Sequence, residues 1–360
     1  MFEPCAIEDW ILPLRFLKDS TNRRTEMEDE WESERGDDIL ALDWTKGAAT
    51  RCGGHALLNA MDGARHILLS QLTRTCGPWE AEPAIARLAA RGVRPKVVYV
   101  DDECCGAWAT LLARFWPDAM VRLDGVHALM RLTESVTCTR HPWHGEFCTK
   151  LSDAIYTPDP KELNRLIDAR VRDGLGTFLP KSVRNKFVPR AIINAAEIAA
   201  KVDAIICNYA TRTHQDYGPL LTETTQKEWK SLRQHILRGC LCDPPGVQLH
   251  EYRGAGVLIG GERFRTVTTL RGASALEGFH SHQKQWLGIL AQHTEEGGQA
   301  LLTDGALRWN RKRRQEQDGT QALPTVFPRS LLRDADAFSV RLTGASLYPA
   351  LGNAGPNEQQ

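Results

Sequence analysis

From residue 39 onward the chain alternates short apolar runs with stretches whose apolar positions recur every three to four residues. Ile39-Leu40-Ala41-Leu42-Asp43 is an apolar run closed by an acid, the pattern of a buried strand. Gly53-Gly54 marks a turn, and residues 56–61 (ALLNAM) and 67–72 (ILLSQL) predict two more strands around the hairpin dipeptide Asp62-Gly63. The rhythm then becomes helical. Residues 83–91 carry Ile85, Leu88 and Ala89 on one face, with Pro83 at the first helical position and Gly92 as the stop. Val97-Val98-Tyr99-Val100-Asp101 is a second apolar run ending in an acid. Residues 108–116 predict a short helix stopped by Pro117, residues 119–124 a fifth strand, and a further helix opens near His127. The order βββαβαβα predicts an α/β fold in which an antiparallel meander joins parallel strands linked by right-handed crossovers. The result is a five-stranded mixed sheet with flanking helices.

This element order is the one found in ribonuclease-H-like folds. Downstream, Ile192, Ala195, Ala199, Val202 and Ile206 predict one apolar helical face, and Trp229, Leu232 and Ile236 another. Pro180, Pro189 and residues 239–246 supply breaks between them, and Gly260-Gly261 reads as a hairpin turn rather than a phosphate loop. Leu276, Phe279, Trp286, Leu287 and Leu290 give a last helix its apolar stripe. The expected organisation is an acidic extension (1–38), a first part of the catalytic core (39–136), and a mostly helical insertion (137–265). A core completion (266–316) and a C-terminal tail (317–360) follow.

Composition narrows the class of protein. With 45 basic and 45 acidic residues the chain carries no net charge, which argues against a uniformly basic nucleic-acid binder but leaves room for a local basic groove. Residues 26–38 hold eight acids against one base, Arg35, and read as a solvated acidic segment. The N-terminus has acids and a proline where a signal peptide needs a basic start and an apolar stretch, and no apolar run approaches membrane-spanning length. The expectation is an intracellular protein with reduced thiols and no membrane partner.

The two strand-end acids carry the chemistry. Ligands of open α/β sheets sit beyond the carboxyl ends of the strands. In this topology the first and fourth strands are neighbours, which puts Asp43 and Asp101 on one edge. Paired carboxylates repel unless a cation neutralises them, and Mg²⁺ prefers such hard oxygen ligands. Ordinary turn residues would show the same two acids. Glu277, in the first turn of the last helix, is the candidate third ligand; Ser274 three residues before it also fits a capping box.

LALDWTKG, PKVVYVDDECC, VRLDGVHALMRL and RGASALEGFHSHQKQWL together resemble the successive blocks of a eukaryotic DDE transposase catalytic domain. The nearest likeness is to transposon-derived proteins of animal genomes, with broader kinship to Mutator-like and Kyakuja-Dileera-Zisupton elements. Those groups carry a D-x-x-H signature, which stands here as Asp124-Gly125-Val126-His127. The resemblance covers roughly residues 40–315. It implies that Asp43, Asp101 and Glu277 are the catalytic, metal-holding acids. Asp101 fits better than the adjacent Asp102, because it directly ends the strand. It also implies two Mg²⁺ or Mn²⁺ ions and in-line phosphoryl transfer on DNA, by water to nick it or by a 3′-hydroxyl to join it. His127 would contact a phosphate or hold Asp124. Transposases of this kind usually carry a DNA-reading region ahead of the core, whereas only about 40 residues, acidic on balance, precede Asp43 here. A domesticated relative serving as a binding module, and a hydrolytic nuclease of the same fold, stay open beside a transposase. A homo-oligomer on DNA and a nuclear location are the matching expectations.

Two basic clusters are candidate phosphate contacts: Arg308, Arg311, Lys312, Arg313 and Arg314, and Lys181, Arg184, Lys186 and Arg190. The first would equally serve nuclear import, and both would suit solvated faces. Cys138, His141, His144 and Cys148 are too close together in sequence for the usual zinc arrangement. Cys104-Cys105 and Cys240-x-Cys242 lack partner pairs at zinc-ribbon spacing and read as separate thiols.

Overall fold

A computed structural model describes residues 22, 24–288, 294–318 and 329–347. Leu290 and the first residues of the chain lie outside that range. The fold is α/β, with a five-stranded mixed sheet in the order β3-β2-β1-β4-β5. Its strands are β1 (Ile39–Thr45), β2 (Ala56–Asp62), β3 (Ile67–Thr73), β4 (Val97–Val100) and β5 (Met120–Leu123). Hairpin strands β2 and β3 pair antiparallel, and β1, β4 and β5 run parallel. The chain divides into two compact units, one within residues 1–36, 44–93 and 278–360, the other comprising Asp37–Asp43 and Arg94–Glu277.

In the first unit, β2 is buried along its whole length, and helices α1 (Arg24–Glu32), α2 (Pro78–Ala90) and α11 (Glu295–Asp318) flank the hairpin. Strand β3 is an edge, and an uncovered edge invites pairing with other chains. Here polar side chains occupy it. Buried Asn310 of α11 accepts from Ile67 N (2.6 Å) and donates to Ile67 O (2.9 Å). Gln299 donates to Ser70 O (2.9 Å), Arg91 to Leu68 O (3.1 Å) and Trp31 to Ile67 O (3.0 Å).

The acidic segment is therefore no solvated tail. It folds into α1, with Met27, Glu30 and Trp31 buried, and Glu30 and Glu34 bind the basic run of α11. Arg311 Nε lies 2.8 Å from Glu30, and Arg314 lies 2.8 Å from Glu34. The α2 expectation also needs correction. The helix starts at Pro78, behind Gly77, and Pro83 sits inside it. Glu80 explains the early start, since its carboxylate accepts the Arg74 and Thr75 amides (2.7 and 3.1 Å) and closes the entry turn.

In the second unit, α3 (Ala107–Ala113) and α4 (Gly125–Glu134) follow β4 and β5. Helix α3 ends before Trp116, which is buried beyond it. Five helices then follow: α5 (His144–Ile155), α6 (Pro160–Arg172), α7 (Lys181–Phe187), α8 (Ala195–Ala210) and α9 (Glu223–Leu237). Ile192 precedes α8 rather than belonging to it, because Asn194 caps the helix by accepting from Glu197 N (3.2 Å). The buried face of α8 is Ile198, Ala199, Val202 and Tyr209, while Ala195 and Ile206 stay partly exposed. Trp229, Leu232 and Ile236 are the buried face of α9, as their spacing implies. Before α10 (Ser274–Trp286) comes a hairpin of β6 (His250–Ile259) and β7 (Glu262–Thr269), turning at Gly260-Gly261 with both φ positive.

Asn310→Ala tests the edge cover. It leaves the buried Ile67 amide without its acceptor and should cost about 1–3 kcal/mol, read as a lowered urea midpoint with unchanged slope.

Candidate active site

The register of the parallel strands determines where the acids stand. Ile39 pairs with Val97 and Ala41 with Tyr99, the same offset that separates Asp43 from Asp101. Val97 pairs with Met120 and Val100 with Leu123, the same offset that separates Asp101 from Asp124. Asp43, Asp101 and Asp124 therefore stand level across three neighbouring strands, at the carboxyl ends where α/β sheets bind ligands. Asp43 does not end its strand, which runs on to Thr45; Asp101 and Asp124 are the first residues past theirs.

Asp124 is the N-cap of α4. Its Oδ1 accepts from Val126 N (2.7 Å), and its Oδ2 accepts the Ala273 amide. The D-x-x-H spacing follows from this cap, because it puts His127 at the third helical position, facing back over the strand ends. Burial opposes ionisation of Asp124, yet its contact with His127 and the backbone amides hold the carboxyl below its ordinary range. The segment before α10 is shaped to meet it. Arg271 forms a two-toothed ion pair with Asp243 (both contacts 2.5 Å), and Gly272 adopts φ +68°. A Cβ at Gly272 would stand 2.7 Å from Asp124 Oδ2, so only glycine lets the chain pass and deliver the Ala273 amide.

His127 gathers the acids. Its Nδ1 lies 3.4 Å from Asp124 Oδ2 and 3.8 Å from Asp101 Oδ1. Its Nε2 lies 3.3 Å from Glu277 Oε1 and 3.9 Å from Asp43 Oδ2. Pairing with Asp124, reinforced by the Asp43 and Asp101 charges and opposed by burial, pushes the imidazole up to about 10. Four carboxylates thus surround one imidazolium.

Of the predicted catalytic set, Asp43 and Glu277 are brought together, while Asp101 stands level with Asp43 on the next strand and 3.8 Å from His127. Asp43 is buried, Asp101 is part-exposed, and Glu277 reaches in from the first turn of α10 with its side chain 59% exposed. Carboxylate oxygens of Asp43 and Glu277 lie within 4.8 Å of one another, a spacing at which both could ligate one cation. Asp101 Oδ1 is shielded from solvent, and among the described residues no donor reaches it within hydrogen-bond geometry. A buried carboxylate oxygen in that state is costly, and a cation relieves the cost. Among the described residues Asp101 joins no group of three or more donors within 4.8 Å, so the close oxygen pair is Asp43 and Glu277, hard donors that suit a divalent ion. Asp101, rather than the exposed Asp102, is the acid within reach of His127.

Two features were not anticipated. Arg131, one turn beyond His127, donates to the Asp101 carbonyl (2.9 Å) and steadies that loop. His280 follows Glu277 by three residues on the same helical face; the E-x-x-H spacing was the available signal.

The basic clusters behave differently from one another. Arg308 pairs with Asp304 (2.7 Å), and Arg313 pairs with Glu316 (2.7 Å) while lying over the Trp309 ring. Together with the Glu30 and Glu34 pairs, these balance four of the five charges of that cluster inside the fold; Lys312 is exposed. In the second cluster Lys181 and Arg184 share one acid, Asp153 (3.2 and 2.8 Å), while Lys186 and Arg190 lie over aromatic rings.

The cysteine readings divide. His141 packs among the rings of Trp143, His214 and Tyr217, and His144 binds the Thr133 carbonyl (3.1 Å), so Cys138 to Cys148 gather no metal group among the described residues. Cys104, Cys105 and Cys240 are not separate thiols, since they converge with His235. No helix among the described residues is long and apolar enough to cross a membrane. No protein-family model matches the chain, and no curated protein matches it.

The raised His127 predicts a pH signature in chelator. A folded-state value above the unfolded one, near 6.5, contributes stability below about pH 6.5 that is lost as the pH rises towards 10. The stability gap between wild type and His127→Asn, followed by thermal melting, should narrow over that window. A constant gap would contradict the assignment.

Proposed function

We propose that the chain is a DDE transposase-like, metal-dependent enzyme that cleaves and transfers DNA strands. The observation that carries this reading is the convergence of Asp43, Asp101 and Glu277 around one strand-end position, with Asp124 and His127 beside them. The order of strands and helices is compatible with a ribonuclease-H-like core, and the helices and hairpin between β5 and α10 are the material of an insertion.

Asp43, Asp101 and Glu277 are the residues that would hold the divalent ions, Mg²⁺ or Mn²⁺. Such ions activate the attacking water or 3′-hydroxyl and stabilise charge on the scissile phosphate. Asp43, the most buried of the three, is fixed by its strand and supplies the rigid ligand. Asp101 and Glu277 are more exposed and can adjust to substrate. Asp124 is already committed to backbone amides, so it positions His127 rather than serving as a ligand. His127, held charged, offers a cationic donor to a phosphate oxygen beside the acids.

The substrate side of the reading rests on the Lys181, Arg184 and Lys186 surface, where Lys181 and Arg184 share one acid, Asp153, and Lys186 lies over the Phe187 ring. Lys312 is the member of the other cluster best placed for a backbone phosphate. Assembly as a homo-oligomer on DNA and a nuclear location belong to the same proposal.

Nicking of supercoiled plasmid in Mg²⁺ or Mn²⁺ tests it. Asp43→Asn should lower the rate more than about 100-fold, a barrier change of about 2.7 kcal/mol. Equal cleavage by both proteins would remove Asp43 from the chemistry. Cleavage that persists without metal would contradict the metal-dependent mechanism, and no cleavage by either protein would favour a binding module that keeps the fold.

A further inference from the structure

We propose that Cys104, Cys105, His235 and Cys240 form a closed, structural zinc site that staples the loop following Asp101 to the end of helix α9. The four side chains come from two places far apart in sequence. Cys104 and Cys105 sit in the turn between β4 and α3, while His235 lies in the last turn of α9 and Cys240 just past it. One atom from each lies within 4.8 Å of the other three.

The distances suit a tetrahedral ion. Zinc bonds of about 2.3 Å to sulfur and 2.0–2.1 Å to nitrogen require S···S edges of about 3.8 Å and S···N edges of about 3.5 Å. Cys104 Sγ lies 3.7 Å from Cys105 Sγ and 3.3 Å from His235 Nδ1. Cys105 Sγ lies 3.7 Å from His235 Nδ1. The Cys105–Cys240 edge, at 3.0 Å, is shorter and must open by somewhat under 1 Å. A disulfide would need about 2.05 Å, so none of these pairs is one.

The backbone around the donors is held in place. Glu103, immediately before the two cysteines, adopts φ +45°, a conformation few non-glycine residues take. The Gly106 amide closes the same turn on the Glu103 carbonyl (2.8 Å). On the other side, the Cys240 carbonyl accepts from Leu123 N (2.9 Å), tying it to the end of β5, and its own amide returns to the His235 carbonyl (3.0 Å). Cys104 and Cys240 are buried. Three thiolate-forming groups and one imidazole are soft donors that favour zinc over Mg²⁺.

Four protein donors complete the shell, which leaves no position for water and marks the site as structural rather than catalytic. Its place gives it a purpose. It lies three residues beyond Asp101, so closing it fixes the loop that presents that acid. The site is independent of the carboxylate cluster in its donors, and its metal is of another kind.

Full-length protein purified without chelator should carry about one zinc per chain by elemental analysis. Its cobalt-substituted form should show the thiolate charge-transfer band and strong visible bands of a tetrahedral site. Cys105→Ser and Cys240→Ser should lose the zinc, while Cys242→Ser and Asp43→Asn keep it. His235→Cys, which offers four sulfurs, should retain the ion with a stronger charge-transfer band. This variant keeps the test meaningful if the serine variants fold poorly. The proposal is overturned if reduced wild type takes up neither zinc nor cobalt, or if both serine variants keep the metal. Loss of zinc from Asp43→Asn would also overturn it, by assigning the ion to the carboxylates.

Discussion

Like charges held within a few ångströms of one another are the constraint on which this structure turns. Two carboxylates 4 Å apart repel by about 4 kcal/mol at an effective dielectric of 20, and four of them surround a single imidazole here. The parallel register of β1, β4 and β5 leaves little freedom, because three of the acids stand level across adjacent strands. His127 relieves part of the repulsion by carrying a proton well above its ordinary pH range. Asp43 and Glu277, with carboxylate oxygens within 4.8 Å of one another, make a candidate cation site beside that imidazolium.

The surrounding chain holds this unfavourable arrangement in place. Asp124 is locked as a helix cap, and the Ala273 amide reaches its second oxygen only because Gly272 has no side chain. Arg271 grips Asp243 one residue earlier, so the entry to α10, and with it Glu277, is tied to the strand ends. Within the other unit, buried Gln283 of α10 exchanges hydrogen bonds with Asn59 of β2 (2.8 and 3.0 Å) and docks the same helix on the hairpin. Binding energy spread over caps, ion pairs and buried amides is what keeps the acids converged.

The strand-end acids and the helix cap of the candidate site were legible because their signals are local. An apolar run ending in an acid marks a strand end, and D-x-x-H is the spacing of an N-cap and its third helical residue. The cysteine group was not legible, since Cys105 and Cys240 lie far apart in sequence and adjacent cysteines rarely point at one centre. The basic run of α11 looked like a phosphate-binding patch because its partners, Glu30 and Glu34, come from the other end of the chain. Pro83 misled for a different reason. Proline is a reliable helix opener only when no better one precedes it, and Pro78 does. Pairings across long sequence separations account for the partners of Arg311 and Arg314 and for the converging thiols.

Titration of the protein with Mn²⁺, followed by the loss of the free-ion electron paramagnetic resonance signal, reads the carboxylate site itself. Saturable uptake of about two ions per chain, displaced by Mg²⁺ and lost in both Asp43→Asn and Glu277→Gln, is the expected result if these acids hold the proposed divalent ions. Absence of saturable binding in the wild type, or binding unchanged in those two variants, would contradict it.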